Sequence, residues 1–456
     1  MIGTVLGAAF CLLTPVLAGA LGWRALGGSG RRALDAAAAL VVGPGLVAVQ
    51  MLVYHALGVP FALPWLALPW YVALGVALVL ARRRAAERGY RAPLSAPVLV
   101  QGVLLVLLTV GTAVRAFAVP IHDGDEVNNF ALFARVFGTL GSLAPERLVA
   151  LNEPGHVEYP HLVALNQAWL FAFDPDTAPW TARGIEVLAL LAFLLAAARV
   201  CGGHGWTGTA AFVLCAASPA VLRFAIGFAD VRLLATFVLL GHAARDVAAR
   251  RDPGAPMRLA LLAGTAALTK NEGLAVAAVA VAVLAFWVAR RARSWLGVAA
   301  VAVGAGLCAV WPILRWRFGL HTPYVDHALD LPLSLLVDQA PRVVMFLAGE
   351  MFPLAPDRIA VAGVFWWCAL PAAVFASRAA HARWLLLAWL AHAGLYLYVL
   401  GIARRGDLDA LLGTAGPRLL LHTMAWPVLL LGRLVEAGRP QDDEGVTPGS
   451  ASGQPG

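Results

Sequence analysis

Residues 272–316 read EGLAVAAVAVAVLAFWVA, then RRAR and a serine, then WLGVAAVAVGAGLCAVWPILRW. Both long runs are continuously apolar, and each is about as long as the ~20 residues that a helix needs to cross a bilayer. A strand of a membrane β-barrel would instead alternate in polarity over ~10 residues. Arginines between two apolar runs are typical of the cytoplasmic side of a membrane. This stretch therefore predicts two membrane-spanning helices joined by a short inner turn.

The whole chain shares this composition. Hydrophobic residues make up 61% of its 456 residues and charged residues 13%, against ~45–50% and ~25% in soluble domains. Mean hydropathy is +0.77. These values exclude a soluble enzyme and a disordered chain. We predict an all-α polytopic membrane protein with about thirteen transmembrane helices, each using ~20 residues. The apolar runs are 2–23, 34–57, 61–81, 96–118, 180–199, 206–227, 229–249, 257–269, 272–289, 295–316, 357–377, 384–402 and 417–436.

The connections between these runs predict the orientation. Arginines concentrate in every second connection, for example at 31–32, 82–84, 250–251 and 290–293. The positive-inside rule then places the N-terminus outside. The net charge of +8 is explained by arginines facing a bilayer, so we expect no nucleic-acid partner. The five cysteines lie scattered in apolar runs without metal-ligand spacing, which is typical of small core residues.

The connections also divide the chain. Residues 1–95 hold the first three spans, and residues 96–437 hold the others together with two long outer loops, 119–179 and 317–356. Long loops in compact proteins tend to carry function. Residues 438–456 are rich in acids, Gly, Ser and Pro, which predicts a disordered cytoplasmic tail.

The first outer loop begins with an acidic segment that includes Asp123, Asp125 and Glu126. Apolar residues at helical spacing follow over 131–140, which predicts a helix lying in the membrane interface. Asp125 and Asn129 would share its upper face. A carboxylate there is suited to act as a base or to bind a divalent cation. The alternative is a helix N-cap in a solvated first turn.

The same loop continues to a second polar segment. Its candidate acceptor or loop-site residues are His156, Glu158, Tyr159 and His161. Histidines and carboxylates together are suited to bind a metal, but their spacing is not diagnostic, and ordinary polar loop residues are the alternative. Pro160 predicts the start of a helix over 162–173.

Three charged residues lie at the predicted outer ends of later spans. Asp230 lies between two runs, where an acid so close to hydrocarbon is expected to be functional, although a turn cap is the alternative. Lys270, the chain's one lysine, and Glu272 follow the run 257–269. Lys270 is suited to bind a phosphate, or alternatively to neutralise Glu272.

The last predicted span supplies more basic residues. Arg418 and His422 lie four residues apart, so they share one helix face and could hold an anionic headgroup; snorkelling of Arg418 to the interface is the alternative. Arg404 and Arg405 lie in the preceding loop. The orientation puts these basic groups and the acids at one membrane face, which suits a lipid-phosphate substrate and an activated acceptor.

These motifs, in this order and on one side, resemble the GT-C superfamily of integral-membrane glycosyltransferases. The likeness is to the branch near bacterial protein O-mannosyltransferases and the aminoarabinose–lipid A transferase, and it covers residues 96–436. It rests on Asp125-Glu126 after a span, Tyr159-Pro160-His161-Leu162, Phe228-Ala229-Asp230, Thr269–Gly273 and Arg418–His422. The aminoarabinose branch has a lysine where Tyr159 stands and a second proline where His161 stands, so phosphate binding shifts to Lys270, Arg418 or residues 404–405.

The resemblance implies inverting transfer of a sugar from a polyprenyl-phosphate donor to an extracytoplasmic lipid, polysaccharide or protein acceptor at the bacterial inner membrane. Asp125 would be the general base, Glu126 or Asp230 would shape the acceptor site, and Asp123 with Asp125 leaves a Mg²⁺ or Mn²⁺ site open. The first alternative function is a transporter or flippase of a lipid-linked or anionic solute, which would carry its polar residues near the bilayer midplane. The second is a structural subunit of an envelope assembly, which would lack a substrate-sized cavity.

Overall fold

The computed structural model describes residues 2–29, 31–82, 95–120, 126–150, 159–173, 182–202, 205–250, 252–291, 294–320, 333–352, 364–378, 382–401 and 408–437. Within these ranges all regular secondary structure is helical, as predicted. In chain order the α-helices are α1 (Ile2–Ala25), α2 (Arg32–Ala56), α3 (Leu63–Arg82), α4 (Ala96–Ala118), α5 (Leu132–Leu140), α6 (Pro145–Ala150), α7 (Leu162–Phe173), α8 (Gly184–Ala197), α9 (Gly205–Ala216), α10 (Pro219–Arg223), α11 (Asp230–Ala248), α12 (Ala255–Thr269), α13 (Asn271–Arg291), α14 (Trp295–Arg317), α15 (Leu333–Met351), α16 (Phe365–Ser377), α17 (Arg383–Gly401), α18 (Leu408–Thr423) and α19 (Ala425–Ala437).

Seven helices in the described part of the chain are long and apolar enough to cross a membrane, so the chain is a multi-pass membrane protein. They are Arg32–Ala56, Ala96–Ala118, Gly184–Cys201, Asn271–Arg290, Trp295–Arg317, Arg383–Gly401 and Leu411–Ala437. Other apolar helices, α1 and α12 among them, have apolar segments of only 10–17 residues in the described part of the chain. The count of thirteen spans therefore stays a prediction.

Two predicted runs are interrupted. The run 206–227 divides into α9 and the short α10, because Ser218 leaves the helical conformation just before Pro219, and a proline is favoured at the start of a new helix. The run 417–436 begins earlier than predicted, at Leu408, and is broken at Met424 between α18 and α19. Residues 357–363 of another run lie outside the described residues.

The described parts of the two long predicted loops contain helices. In the loop 317–356, α15 packs against α17 and α18, burying Val343. In the loop 119–179, the predicted helices over 131–140 and 162–173 are confirmed as α5 and α7. Gly138 lets the two helices touch, because a Cβ there would lie 2.6 Å from the Ala168 carbonyl oxygen.

The predicted exposure of Asn129 is wrong, since this side chain is buried. Residues Glu126–Ala131 form a π-helical turn rather than an α-helical one. A π turn rotates its side chains relative to an α-helix and is frequent at functional sites. It turns Asn129 and Phe130 inward.

Helix α11 lies at the centre of the bundle. All but three of its side chains are buried, and it contacts α2, α8, α12, α18 and α19. Its first residue, Asp230, and its last turn, near Arg245, therefore mark two opposite ends of the bundle. Fifteen residues separate them, which at 1.5 Å per residue is about 22 Å.

The end marked by Arg245 gathers the basic connections, and we call it the arginine end. Arg245 pairs with Glu436 there, and Arg258 donates to the carbonyl oxygens of Leu26 and Gly28. The opposite end, which we call the Asp230 end, carries the connection between α2 and α3, where the Phe61 amide donates to the Gly141 carbonyl. The two ends are separated by most of the ~30 Å thickness of a hydrocarbon core.

Candidate functional site

A single carboxylate organises the Asp230 end. Asp230 is fully buried and accepts hydrogen bonds from three side chains outside α11. Lys270 Nζ lies 2.9 Å from Oδ1, His422 Nε2 lies 2.7 Å from the same oxygen, and Arg418 Nε lies 3.1 Å from Oδ2. We call these four residues the Asp230 cluster. A buried carboxylate needs such partners, because an unpaired charge in the interior is very costly.

The local backbone explains these positions. Gly227 has φ +81°, a conformation that favours glycine, and it turns the chain from α10 into α11. Asp230 then opens α11, where the helix dipole stabilises a negative charge. Lys270 lies between α12 and α13 with an extended backbone, φ −157° and ψ 161°, so its side chain leaves the helical stack and reaches Asp230. The alternative that Lys270 neutralises Glu272 is not what the structure has.

Helix α18 supplies two members of the cluster, and α17 supplies a residue that contacts one of them. Arg418 and His422 lie one turn apart on α18, as their spacing predicted. On α17, the Tyr396 hydroxyl lies 2.9 Å from Nδ1 of His422, so a hydrogen-bond chain runs from Tyr396 through His422 to Asp230. This chain fixes the imidazole ring and gives each ring nitrogen a partner.

The side chains of the cluster differ in exposure. The Lys270, His422 and Asp230 side chains are 4%, 0% and 0% exposed, whereas Arg418 is 14% exposed. The Arg418 guanidinium carbon lies 4.6 Å from the centre of the Phe228 ring, in a cation–π contact. Arg418 is therefore the cluster's contact with the surroundings, oriented by a carboxylate and an aromatic ring.

Glu272 lies in the first turn of α13, two residues after Lys270. It is partly buried, and its Oε2 is shielded from solvent without a hydrogen-bond partner among the described residues. A shielded carboxylate oxygen without a donor is a position where a ligand hydroxyl would be stabilised.

A second ion pair lies at the same end. The Arg183 guanidinium donates through Nε and Nη2 to the two carboxylate oxygens of Glu126, and both side chains are 2% exposed. Arg183 also donates to the carbonyl oxygens of Ala116, Val119 and Pro120 at the end of α4. Arginine suits the end of a helix, where carbonyl groups lack intrahelical partners. This pair ties the chain after α4 to the start of α8.

Gly227 joins the ion pair to the cluster. A Cβ at Gly227 would lie 3.2 Å from Glu126 Oε2, so the Glu126 carboxylate rests directly on the turn that leads to Asp230. The Gly227 amide donates to Glu186 Oε2 over 2.6 Å. Glu126 and Asp230 are therefore parts of one polar region.

Arg183, Glu186 and Tyr396 were not among the sequence candidates. Arg183 and Glu186 lie inside the predicted span 180–199, and ionisable residues within a span are functional candidates by default. That signal was sufficient to select both. Tyr396 carries no comparable signal, because tyrosine is common near membrane boundaries.

Two candidates within the described ranges, His161 and Tyr159, are not members of the Asp230 cluster. His161 is buried among aromatic rings, with centroid distances of 5.0 Å to Phe133, 5.4 Å to Phe137 and 4.6 Å to Trp311. Tyr159 is half-buried. The predicted residues outside the described ranges are Asp123, Asp125, His156, Glu158, Arg404 and Arg405. Among the described residues there is no group of three or more His, Cys, Asp and Glu that could hold a metal.

The fold and the site define a multi-pass helical membrane protein with a buried polar region at one end of its bundle. Comparisons with protein-family models, with curated proteins and with solved structures gave no match to this chain.

Proposed function

We propose that the protein is a glycosyltransferase that moves a sugar from a polyprenyl-phosphate donor to an extracytoplasmic acceptor, with a GT-C-like arrangement of about thirteen transmembrane helices. The observation that carries the proposal is the Asp230 cluster, in which one buried carboxylate orients Lys270, Arg418 and His422. The leaving group of this reaction is a lipid phosphate. Oriented cations are the groups that stabilise the charge developing on such a leaving group.

The reaction is a single displacement. The base, which we propose is Asp125, takes the proton of the acceptor hydroxyl, whose oxygen attacks the anomeric carbon of the sugar. The bond from that carbon to the phosphate oxygen breaks, and its electron pair leaves with the polyprenyl phosphate. The configuration at the sugar is inverted.

The two ion pairs have different roles in this proposal. The two oxygens of Asp230 already accept from Lys270 and Arg418, so Asp230 is a positioning residue that holds the phosphate-binding side chains. Both oxygens of Glu126 accept from Arg183, so Glu126 anchors the π-helical turn Glu126–Ala131 to the start of α8. Asp125 adjoins Glu126 in the chain, and this adjacency supports the proposal of Asp125 as the base.

Depth in the membrane favours the enzyme over a transporter. Transporter sites lie near the bilayer midplane, ~15 Å from either edge of the hydrocarbon. Asp230 lies about 22 Å along α11 from Arg245, which belongs to the arginine end. Asp230 and Lys270 also lie at helix ends, which suits a site close to one membrane face.

The test is sugar transfer in proteoliposomes. Wild type and variants receive a panel of radiolabelled polyprenyl-phosphate hexoses and pentoses with envelope acceptor. We expect Asp125→Asn to abolish transfer. Arg418→Gln should reduce it at least about tenfold, because a hydrogen bond to a charged group contributes ~1.5–3 kcal/mol. Arg290→Gln, an exposed arginine stacked on Phe286, is the matched control and should transfer at the wild-type rate.

Each outcome decides whether the proposed function and the proposed roles of the residues are correct. If Asp125→Asn transfers sugar at the wild-type rate, Asp125 is not the base. Arg418→Gln with the same rate as Arg290→Gln would remove the cluster as the donor site. Donor that crosses the bilayer without sugar transfer would identify a flippase. EDTA in a parallel set decides whether a divalent cation takes part.

A further inference from the structure

The arginine end of the bundle contains a second site, distant from the Asp230 cluster. A cavity of about 150 Å³ opens there between the start of α2, the π-helical turn Ala198–Gly202, and α11, α17 and α19. We call it the arginine pocket. Its ionisable lining residues are Arg31, Arg199, His242, Arg245, Arg433 and Glu436.

The charge of this lining is unbalanced. Four arginines line the cavity with one carboxylate, Glu436. That carboxylate is shared, because Arg433 donates to it over 2.7 Å and Arg245 over 3.4 Å. Asp246 adds one more acid close by, 3.4 Å from His242. Among the described residues the arginines still outnumber the acids, and like charges held together in a partly buried site favour an anion.

The basic side chains are held in place. The Arg31 guanidinium contacts Nε2 of His242, and Asp246 contacts the other ring nitrogen. The Arg245 and Arg433 side chains are 21% and 13% exposed, so the protein restricts both. Preorganised guanidinium groups lose little entropy on binding and match the oxygens of a phosphate in pairs.

Backbone packing positions the remaining arginine. Arg199 lies in the π-helical turn that ends α8. Gly432 brings α19 against this turn, because a Cβ there would lie 2.5 Å from the Val200 carbonyl oxygen. Arg199 and Arg433, the chain neighbours of Val200 and Gly432, both line the cavity.

The rest of the lining is apolar and indicates a lipid. Leu34, Leu385 and Leu429 are buried in the wall of the cavity, and Trp384 is half-buried beside them. Tryptophan is enriched where the hydrocarbon meets the headgroups. A basic pocket between transmembrane helices at such a level suits the headgroup of an anionic lipid.

We propose that the arginine pocket binds the phosphate of an anionic phospholipid from the leaflet at that end of the bundle. The guanidinium groups bind the phosphate oxygens, and the apolar wall takes the adjoining glycerol and upper acyl chains. This site does not depend on the proposed sugar transfer, since it uses none of its residues.

The test measures lipid binding to the purified full-length protein. The delipidated protein in detergent is titrated with phosphatidylglycerol, with phosphatidylcholine as the lipid without net charge, and with inorganic phosphate as the soluble anion. Arg199→Gln and Arg433→Gln should each weaken binding of phosphatidylglycerol about fivefold, the effect of one arginine near an anionic surface. Arg290→Gln removes an arginine outside the lining and should leave binding unchanged.

Three results would overturn the proposal. An equal loss for Arg290→Gln would mean that the charge acts diffusely. Equal binding of phosphatidylcholine would remove the anionic phosphate as the recognised group. Inorganic phosphate that displaces the lipid at matching concentrations would assign the pocket to a soluble anion. Arg199→Lys keeps the charge without the paired geometry, and we expect it to bind more tightly than Arg199→Gln, which separates a lost contact from a misfolded variant.

Discussion

Removing one member of the buried pair between Asp230 and Lys270 should destabilise the protein strongly, and removing both should cost much less than the sum. Lys270 Nζ and Asp230 Oδ1 lie 2.9 Å apart. At an effective dielectric constant of ~20, Coulomb's law gives a gross attraction of about 6 kcal/mol between them. Desolvation offsets much of this in the intact pair. Breaking a buried pair from one side typically costs ~3–5 kcal/mol, because a charge stays behind.

The partners that remain determine which of the two single variants loses more stability. In Lys270→Met, Asp230 keeps Arg418 and His422 as partners, so we expect a loss near ~3 kcal/mol. In Asp230→Asn, the Lys270 ammonium loses its carboxylate while it stays 4% exposed, so we expect a loss near ~5 kcal/mol. The double variant leaves no uncompensated ammonium, and its loss should fall short of the sum by up to ~3 kcal/mol.

Unfolding by SDS titration in mixed micelles measures these free energies. The control is the cycle on Arg342 and Asp409, whose atoms lie 2.7 Å apart but whose side chains are 50% and 80% exposed. Such a pair should contribute ~0–1 kcal/mol. The reasoning is refuted if the Asp230 and Lys270 losses add, or if Lys270→Met costs more than Asp230→Asn.

Two smaller changes test the surroundings of the cluster. Gly227→Ala should cost ~1–2 kcal/mol of unfolding free energy for its positive φ, and more because its Cβ would lie 3.2 Å from Glu126 Oε2. The control Gly205→Ala, with φ +71° and nothing within 4 Å, should show only the backbone cost. Equal losses in SDS unfolding would argue against tight packing at Gly227. Tyr396→Phe should cost ~1–3 kcal/mol because it leaves His422 Nδ1 buried without its partner. The control Tyr71→Phe, at an exposed position, keeps the ring that stacks on Phe10 and should shift the SDS midpoint of unfolding less. The reverse order would contradict the hydrogen-bond chain.

The helices were the readily predicted part of the fold. Continuous apolar runs gave α4 and α14 nearly to the residue, because hydrophobic length is a local property of the chain. The same runs could not reveal the break at Met424, since α18 and α19 are both apolar. The loop 317–356 hid α15 for a related reason: Asp338, Gln339 and Pro341 interrupt its apolar pattern.

The sequence predicted which residues belong to the candidate site, but it did not predict which of them are in contact. The predicted spans give the expected depth of Asp230 and Lys270 in the membrane. They do not show towards which neighbouring helix each side chain is directed. Which cation meets which acid therefore needs the packing of α11 against α12 and α18. The pair of Glu126 with Arg183 spans 57 residues of sequence, and no local pattern links the two. Asn129 was misplaced because the pattern was read with an α-helical period through a π-helical turn.

The order in which the Asp230 cluster is assembled has a consequence for biogenesis. Asp230 leaves the ribosome 188 residues before Arg418, an interval of roughly 10–40 s at ~5–20 residues per second. During that time the nascent chain holds an intramembrane carboxylate with Lys270 as its early counter-charge, and α18 and α19 have yet to be inserted. Asp230 gains its contacts with Arg418 and His422 only after α18 has been inserted, so the cluster forms late in synthesis.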